Sequence, residues 1–279
     1  MSGAAGKAVG SIVSLWRYPV KSMMGEELTA VEVTERGLVG DRAYALLDAE
    51  TGKVASAKNP AKWPGLFDFR AAFLTPPRAR GALPAVRITL PSGRLVSSRQ
   101  RNAGEILSKV LGRKVRLEST APQQPGLEEY WPDMEELPHR DAVTDEAMPS
   151  GTFFDCAAVH LLTTATLDQL RQAYPQGRFE VRRFRPNLVV QPGAGGEGFV
   201  ENAWIGQTLA IGRQLRLRIT GPCPRCVMTT LAQSDLPADP GILRTAAQQN
   251  QAHVGVYVAV LQPGMVRRGD LVRLAESAS

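Results

Sequence analysis

Two of the three cysteines in this 279-residue chain lie in Cys223-Pro224-Arg225-Cys226, directly after the alternating apolar run Leu215, Leu217 and Ile219. A thiol beside a guanidinium is biased toward thiolate, the form that ligates soft metals and attacks sulfur, so chemistry is expected here. Three readings compete. A structural zinc site needs four ligands, and only Cys156, His139, His160 and His253 remain to complete it, with no second close-spaced pair. A redox dithiol belongs at the start of a helix in a βαβ unit, whereas Val227-Met228-Thr229-Thr230 reads as a β-branched strand or turn. A single thiolate ligating a soft metal carried by a cofactor needs only one cysteine and a nearby anion site.

Anion sites are on offer in both halves of the sequence. Tyr18-Pro19-Val20-Lys21-Ser22 and Gly37-Leu38-Val39-Gly40-Asp41-Arg42 are turns whose proline and glycines free backbone N–H groups. Lys21, the Ser22 hydroxyl and Arg42 are therefore candidates to ring a phosphate. Arg182-Arg183-Phe184-Arg185-Pro186-Asn187 leads into the apolar run Leu188-Val189-Val190. Arg185, preceding proline, is expected in extended backbone, with a guanidinium able to clamp phosphate and the Asn187 amide able to read a heterocycle edge. Taken singly, each of these segments is equally readable as a solvated surface turn. His160, beside Leu161 and Leu162, reads as a hydrogen-bonded core residue, and Cys156 and Cys223 as buried structural thiols.

The elements that must position these groups are mainly strands. Alternation marks Val31 and Val33, then Val86, Ile88 and Leu90, then Leu215 to Ile219, with glycine turns between such runs. Helices are expected from Asn102 to Gly112, from Thr166 to Pro175 and over Ile242 to Asn250. The proline- and glutamate-rich stretch 121–138 reads as a linker or long loop, giving a β-rich domain over 8–120 and a second over 139–275. The fold class is mainly β with a few helices.

Composition narrows the function classes. Hydrophobic residues at 43% and charged residues at 22% are ordinary for a soluble globular chain, and no apolar run is long enough to span a bilayer. Neither a membrane location nor a signal peptide is expected, and an odd cysteine count in a long chain argues for a reducing compartment, hence a cytoplasmic protein. The net charge of +6 favours an anionic partner, but the arginines sit in short motifs rather than along one track, so discrete anion pockets are expected and nucleic acid is not.

Taken in order, Trp16 to Ser22, Gly37 to Arg42, Arg183 to Asn187, Trp204-Ile205-Gly206 with Leu209 to Gly212, the Cys-x-Arg-Cys segment, and Gly255-Val256-Tyr257-Val258 with Pro263-Gly264 and Gly269-Asp270 resemble a MOSC-domain protein. That is the molybdenum cofactor sulfurase C-terminal domain with its N-terminal β-barrel partner, as in the mitochondrial amidoxime-reducing component and bacterial relatives. The resemblance implies a β-barrel MOSC domain, a molybdenum–molybdopterin cofactor rather than pyridoxal phosphate, and Cys226 as the molybdenum ligand. It also implies that Lys21, Ser22, Arg42 and Arg185 contact the cofactor, with Asn187, Pro224 and Arg225 lining its site. The implied activity is reduction of a small N-hydroxylated compound, N–OH to N–H. Three cysteines are too few for a fused iron–sulfur domain, so electrons are expected from a separate ferredoxin, flavoprotein or cytochrome-type donor, an acidic one suiting the basic chain. Two other functions stay open: a cysteine-persulfide sulfur carrier, and a non-catalytic carrier of the cofactor.

Overall fold

The computed structural model describes residues 6–275. The first part of the chain carries β1 (Gly6–Arg17), β2 (Glu26–Leu28), β3 (Ala30–Thr34), β4 (Gly37–Leu38), β5 (Ala45–Asp48), β6 (Arg70–Phe73), β7 (Val86–Thr89), β8 (Leu95–Ser97), helix α1 (Ala103–Leu111) and β9 (Val115–Glu118). A ribbon of β10 (Gly126–Trp131) and β11 (Ala142–Ala147) follows. The remainder holds β12 (Val159–Thr163), α2 (Thr164–Ala173), the single turn α3 (Val181–Phe184), β13 (Leu188–Pro192), β14 (Thr208–Ile211), β15 (Leu215–Pro224), α4 (Gly241–Asn250), β16 (His253–Gln262), β17 (Gly264–Arg267) and β18 (Leu271–Ala275).

Seven strands close into a barrel in the order β13, β12, β16, β15, β14, β18, β1, with β1 pairing back to β13. Every neighbour pair is antiparallel except β12 with β13. Parallel neighbours need a crossover, and α2 and α3 supply it. The predicted alternation is visible in β15, where Leu215, Leu217 and Ile219 are buried in the barrel and Arg216 and Arg218 turn outward.

The N-terminal segment, expected to fold as its own domain over 8–120, is not self-contained. β1 is a barrel stave and β3 pairs with β17. Alternation reveals which face of a strand is buried but not which strand it joins. The other N-terminal strands form small sheets, β5 with β9 and β6 with β7 and β8, that pack with α1 around a second core containing Met23, Trp63, Phe67, Phe69 and Leu107.

The stretch expected as a linker contains β10. Its inward positions include Leu127 and Glu129, and a carboxylate at a buried strand position erases the hydrophobic period. α1 begins after Asn102, whose side chain makes no cap bond, and stops at Gly112 in left-handed backbone (φ 66°). α2 starts two residues earlier than expected because the Thr163 hydroxyl accepts the Thr166 N–H at 3.2 Å.

Candidate functional site

A cavity of about 420 Å³ opens where the ends of β12, β15 and β16 meet the N-terminal turns, α3 and the β10–β11 ribbon. That volume lies within the range of about 300–1,000 Å³ typical of small-molecule sites. Lys21, Arg42, Arg185, Asn187, Pro224, Arg225 and Cys226 all line it. So do Cys223, Cys156, His160 and Lys58. Ser22 does not.

The two N-terminal turns are locked to the barrel through Asp41. Its carboxylate accepts the Tyr18 N–H at 2.7 Å, pairs with the Arg42 guanidinium and accepts from Asn187 Nδ2 at 2.9 Å. Asn187 also donates to the Trp16 carbonyl at 3.2 Å and accepts the His160 N–H at 3.1 Å. Both of its N–H donors are thus committed to protein groups, and the side chain ties three segments together. Gly40, in left-handed backbone (φ 84°), is required because a Cβ there would meet the Phe73 ring at 2.6 Å.

Arg185 is not extended. It caps α3 in left-handed backbone (φ 52°), with its N–H bonded to the Val181 carbonyl at 3.2 Å. The preference imposed by the following proline is overridden because the guanidinium donates to the Met23 carbonyl at 2.7 Å and lies over the Tyr18 ring, 4.1 Å from its centroid. Burial, with Arg42 nearby, lowers its pKa to about 10. Arg42 also takes a left-handed conformation (φ 45°) and lies over the same ring at 4.5 Å. Ser22 (φ 60°) faces away from the cavity; its hydroxyl accepts the Ala57 N–H at 3.1 Å and so fixes the segment that carries Lys58. Strained backbone of this sort tends to gather where a fold is constrained by function.

Lys58 was not singled out by sequence, since Ser56-Ala57-Lys58-Asn59-Pro60 reads as an ordinary turn. Its ammonium bonds Glu129 of β10 at 2.8 Å. Desolvation opposes its charge, but Asp155, Cys226 and Glu129 outweigh that and hold it above the usual lysine range. Lys21 is pulled below its usual range by burial, only partly offset by its ion pair with Asp155. Burial works against the Asp155 carboxylate too, yet Lys21, Lys58 and Arg42 hold it well below the normal carboxylate range.

The thiols do not behave as the sequence suggested. Arg225 donates from Nη1 to Cys223 Sγ at 2.9 Å and from Nη2 to the Phe184 carbonyl at 2.9 Å, so of the two thiols that flank it the guanidinium sits on Cys223. Burial raises the Cys223 pKa, but His160 and Arg225 dominate and bring it down to about 6. Cys226 is pushed up to about 11 by burial, with Lys58 and Arg225 opposing. It begins the 3-10 turn Val227–Thr230 and packs with the N-terminal core, at the seam between the two cores. Cys156, expected inside, is exposed at the cavity rim. His160 is hydrogen-bonded as expected, its Nε2 3.0 Å from the Val254 carbonyl, and still faces the cavity.

The cavity walls differ in charge. Lys21, Arg42, Lys58, Arg185 and Arg225 crowd the inner wall, and neither Arg185 nor Arg225 pairs with a carboxylate among the described residues. Arg225 Nε is buried without a partner. The outer wall is the ribbon, through Trp131, Leu137, Glu136 and Glu146. Glu136 and Glu146 give this side of the cavity carboxylates without an ion pair among the described residues, although the chain as a whole is basic. Among the described residues no three histidine, cysteine or carboxylate side chains converge on one point, so a protein-only metal cage is not formed.

Residues 149–273 match the MOSC domain and residues 9–112 the MOSC N-terminal beta barrel domain; the chain belongs to the MOSC-domain family. Among its relatives is mitochondrial amidoxime reducing component 2 of Rattus norvegicus, 26% identical over 95% of this chain and 83% of that protein. Mitochondrial amidoxime-reducing component 1 of Homo sapiens is 25% identical over the same shares. The crystal structure of the YUAD protein from Bacillus subtilis covers 97% of each chain with a TM-score of 0.49 at 11% identity. The ribbon falls between the two matched regions.

Proposed function

We propose that the cavity holds a molybdenum–molybdopterin cofactor with Cys226 as its protein sulfur ligand, and that the protein reduces N-hydroxylated compounds with electrons from a separate cytoplasmic donor protein. The observation that carries this reading is the pairing, in one cavity of about 420 Å³, of a buried thiol with two guanidiniums that lack carboxylates. Such guanidiniums suit an anionic ligand, and a lone sulfur suits a soft metal that arrives with most of its coordination already supplied. The orphaned Arg225 Nε fits the same ligand chemistry.

When bound, the group supplies a two-electron centre able to take up an oxygen atom. The net change is N–OH plus two electrons and two protons giving N–H and water. Everything else falls to the chain. Lys21, Arg42 and Arg185 hold the anionic end; Pro224 and Arg225 line the site; Ser22 and Asn187 act at one remove, by fixing the Lys58 segment and the Asp41 turn. The β10–β11 ribbon excludes water on the outer side and presents an apolar, acidic wall to the substrate. A thiol pushed up to about 11 is protonated at neutral pH, so metal binding at Cys226 must release that proton. A persulfide-forming nucleophile would need an accessible thiolate, and Cys226, 8% exposed, fits that role less well.

The test uses protein purified from molybdenum-replete cells, with metal content measured and an aromatic amidoxime offered together with an artificial reductant. Cys226→Ser is expected to fold with an unchanged melting temperature in the metal-free form and to lose turnover. Unchanged turnover in that variant would overturn the assignment. Full molybdenum loading of the natural protein without reduction of any N-hydroxylated compound would favour a cofactor carrier.

A further inference from the structure

We propose that Cys223 is the positioning residue for Arg225: its sulfur holds one end of the guanidinium against the cavity wall, and its task is neither metal ligation nor dithiol redox cycling. This rests on the reading that the cavity binds an anionic cofactor. Arg225 is held from three sides. Its backbone N–H donates to the Ala252 carbonyl at 2.8 Å, Nη2 to the Phe184 carbonyl at 2.9 Å, and Nη1 to Cys223 Sγ at 2.9 Å. Those anchors belong to β15, to the end of α3 and to the loop before β16, so the side chain cannot turn toward Cys226 without breaking bonds to two elements.

The strand is built to make this contact. The register of β15 against β16 shifts between Pro222 and Pro224, an irregularity that re-aims the side chain between them. Cys223 is the residue so re-aimed, and it is 1% exposed while still contributing to the cavity lining. Sulfur is a weak, polarisable acceptor. Where a carboxylate could engage the guanidinium at two nitrogens, the Cys223 sulfur meets it at one, through Nη1, which fixes the direction of the side chain and leaves Nε without a protein partner for a bound anion. The two cysteines of the motif thereby divide the work: Cys226 offers its sulfur to the metal and Cys223 aims the arginine between them.

The experiment compares Cys223→Ala, Cys223→Ser, Arg225→Met and Cys223→Ala with Arg225→Met, reading molybdenum retained per chain after gel filtration. Cys223→Ala, which removes the acceptor, should lose about tenfold in retained cofactor, whereas Cys223→Ser, which keeps a hydroxyl acceptor, should stay within about threefold of the natural protein. In the Arg225→Met background, Cys223→Ala should change nothing further, because residues acting through one contact are not additive. A further tenfold loss in that background, or a serine variant as poor as alanine, overturns the proposal. A crystal structure of metal-free Cys223→Ala supplies a readout independent of cofactor: the Arg225 side chain should leave its place beside the Phe184 carbonyl, and an unmoved side chain also overturns the proposal. Should the natural protein hold no molybdenum, the cofactor reading fails by itself and the crystallographic comparison alone decides the role of Cys223.

Discussion

Replacing Arg183 by methionine removes four hydrogen bonds from a side chain that is wholly buried. Its guanidinium donates to the carbonyls of Arg178 at 2.8 Å, Thr229 at 3.1 Å, Leu231 at 3.2 Å and Pro237 at 2.8 Å, with no carboxylate in its ion pairs among the described residues. Bonds to a charged group contribute about 1.5–3 kcal/mol each, so four amount to roughly 6–12 kcal/mol. Against this stands the desolvation of a buried cation, several kcal/mol, and methionine recovers some apolar burial. The expected net destabilisation is about 3 kcal/mol. At roughly 2–4 °C per kcal/mol for a chain of this size, the melting temperature should fall by about 6–12 °C. Two of the four carbonyls belong to the 3-10 turn that begins at Cys226 or to its end, so the loss should also loosen the proposed metal ligand. Alkylation of Cys226 in metal-free protein should accelerate along with the drop in stability. A variant that melts within about 2 °C of the natural protein, with Cys226 no more reactive, would refute the reasoning.

Other expectations follow from single contacts. The Cys223 thiol has its pKa depressed from 9.0 to about 6, so its contribution to stability is complete above about pH 9 and is lost as pH falls through about 6. Urea midpoints measured across that window should rise with pH, and Cys223→Ala should flatten the rise. Gly255→Ala would place a Cβ 2.3 Å from His160 Nε2 at a backbone φ of 81°, and unfolding experiments should find a loss of about 2–3 kcal/mol together with displacement of His160 from the Val254 carbonyl. Ser22→Ala leaves the buried Ala57 N–H without its acceptor and should cost about 1–2 kcal/mol in urea unfolding, while weakening cofactor retention although Ser22 does not line the cavity.

The strands and helices were legible where burial follows a period, as in β15 and α1, because a one-sided core imposes it on the sequence. Pairing was not legible. Nothing in Gly6 to Arg17 says that this strand closes a barrel whose other staves begin at residue 159. Six of the eight expected site residues line the cavity with polar or sulfur-bearing side chains, and Pro224 lines it as an apolar one; the expectation came from the resemblance of the ordered motifs to a MOSC-domain protein, since each turn alone reads equally well as a solvated surface turn. The direction of Arg225 was invisible, since a residue between two cysteines can reach either, and only the β15 irregularity decides. Lys58 was missed because its charge partners, Glu129 and Asp155, are about a hundred residues or less away along the chain but on other elements. Arg185 misled because a rule about the residue before proline concerns the bare chain, and two contacts of its guanidinium override it.

The seam strand β1 makes the architecture indivisible in a practical sense. Cutting the chain at the ribbon, where the two family regions part, would leave the C-terminal fragment an open trough with β13 and β18 as bare edges. Such edges recruit strands from other molecules. The fragment is expected to aggregate or exchange strands rather than stand as a monomer, and supplying residues 6–17 as a separate peptide should rescue it. Nascent chains meet the same constraint: β1 must wait for β13 and then for β18, about 250 residues further along the chain, before both of its edges are covered.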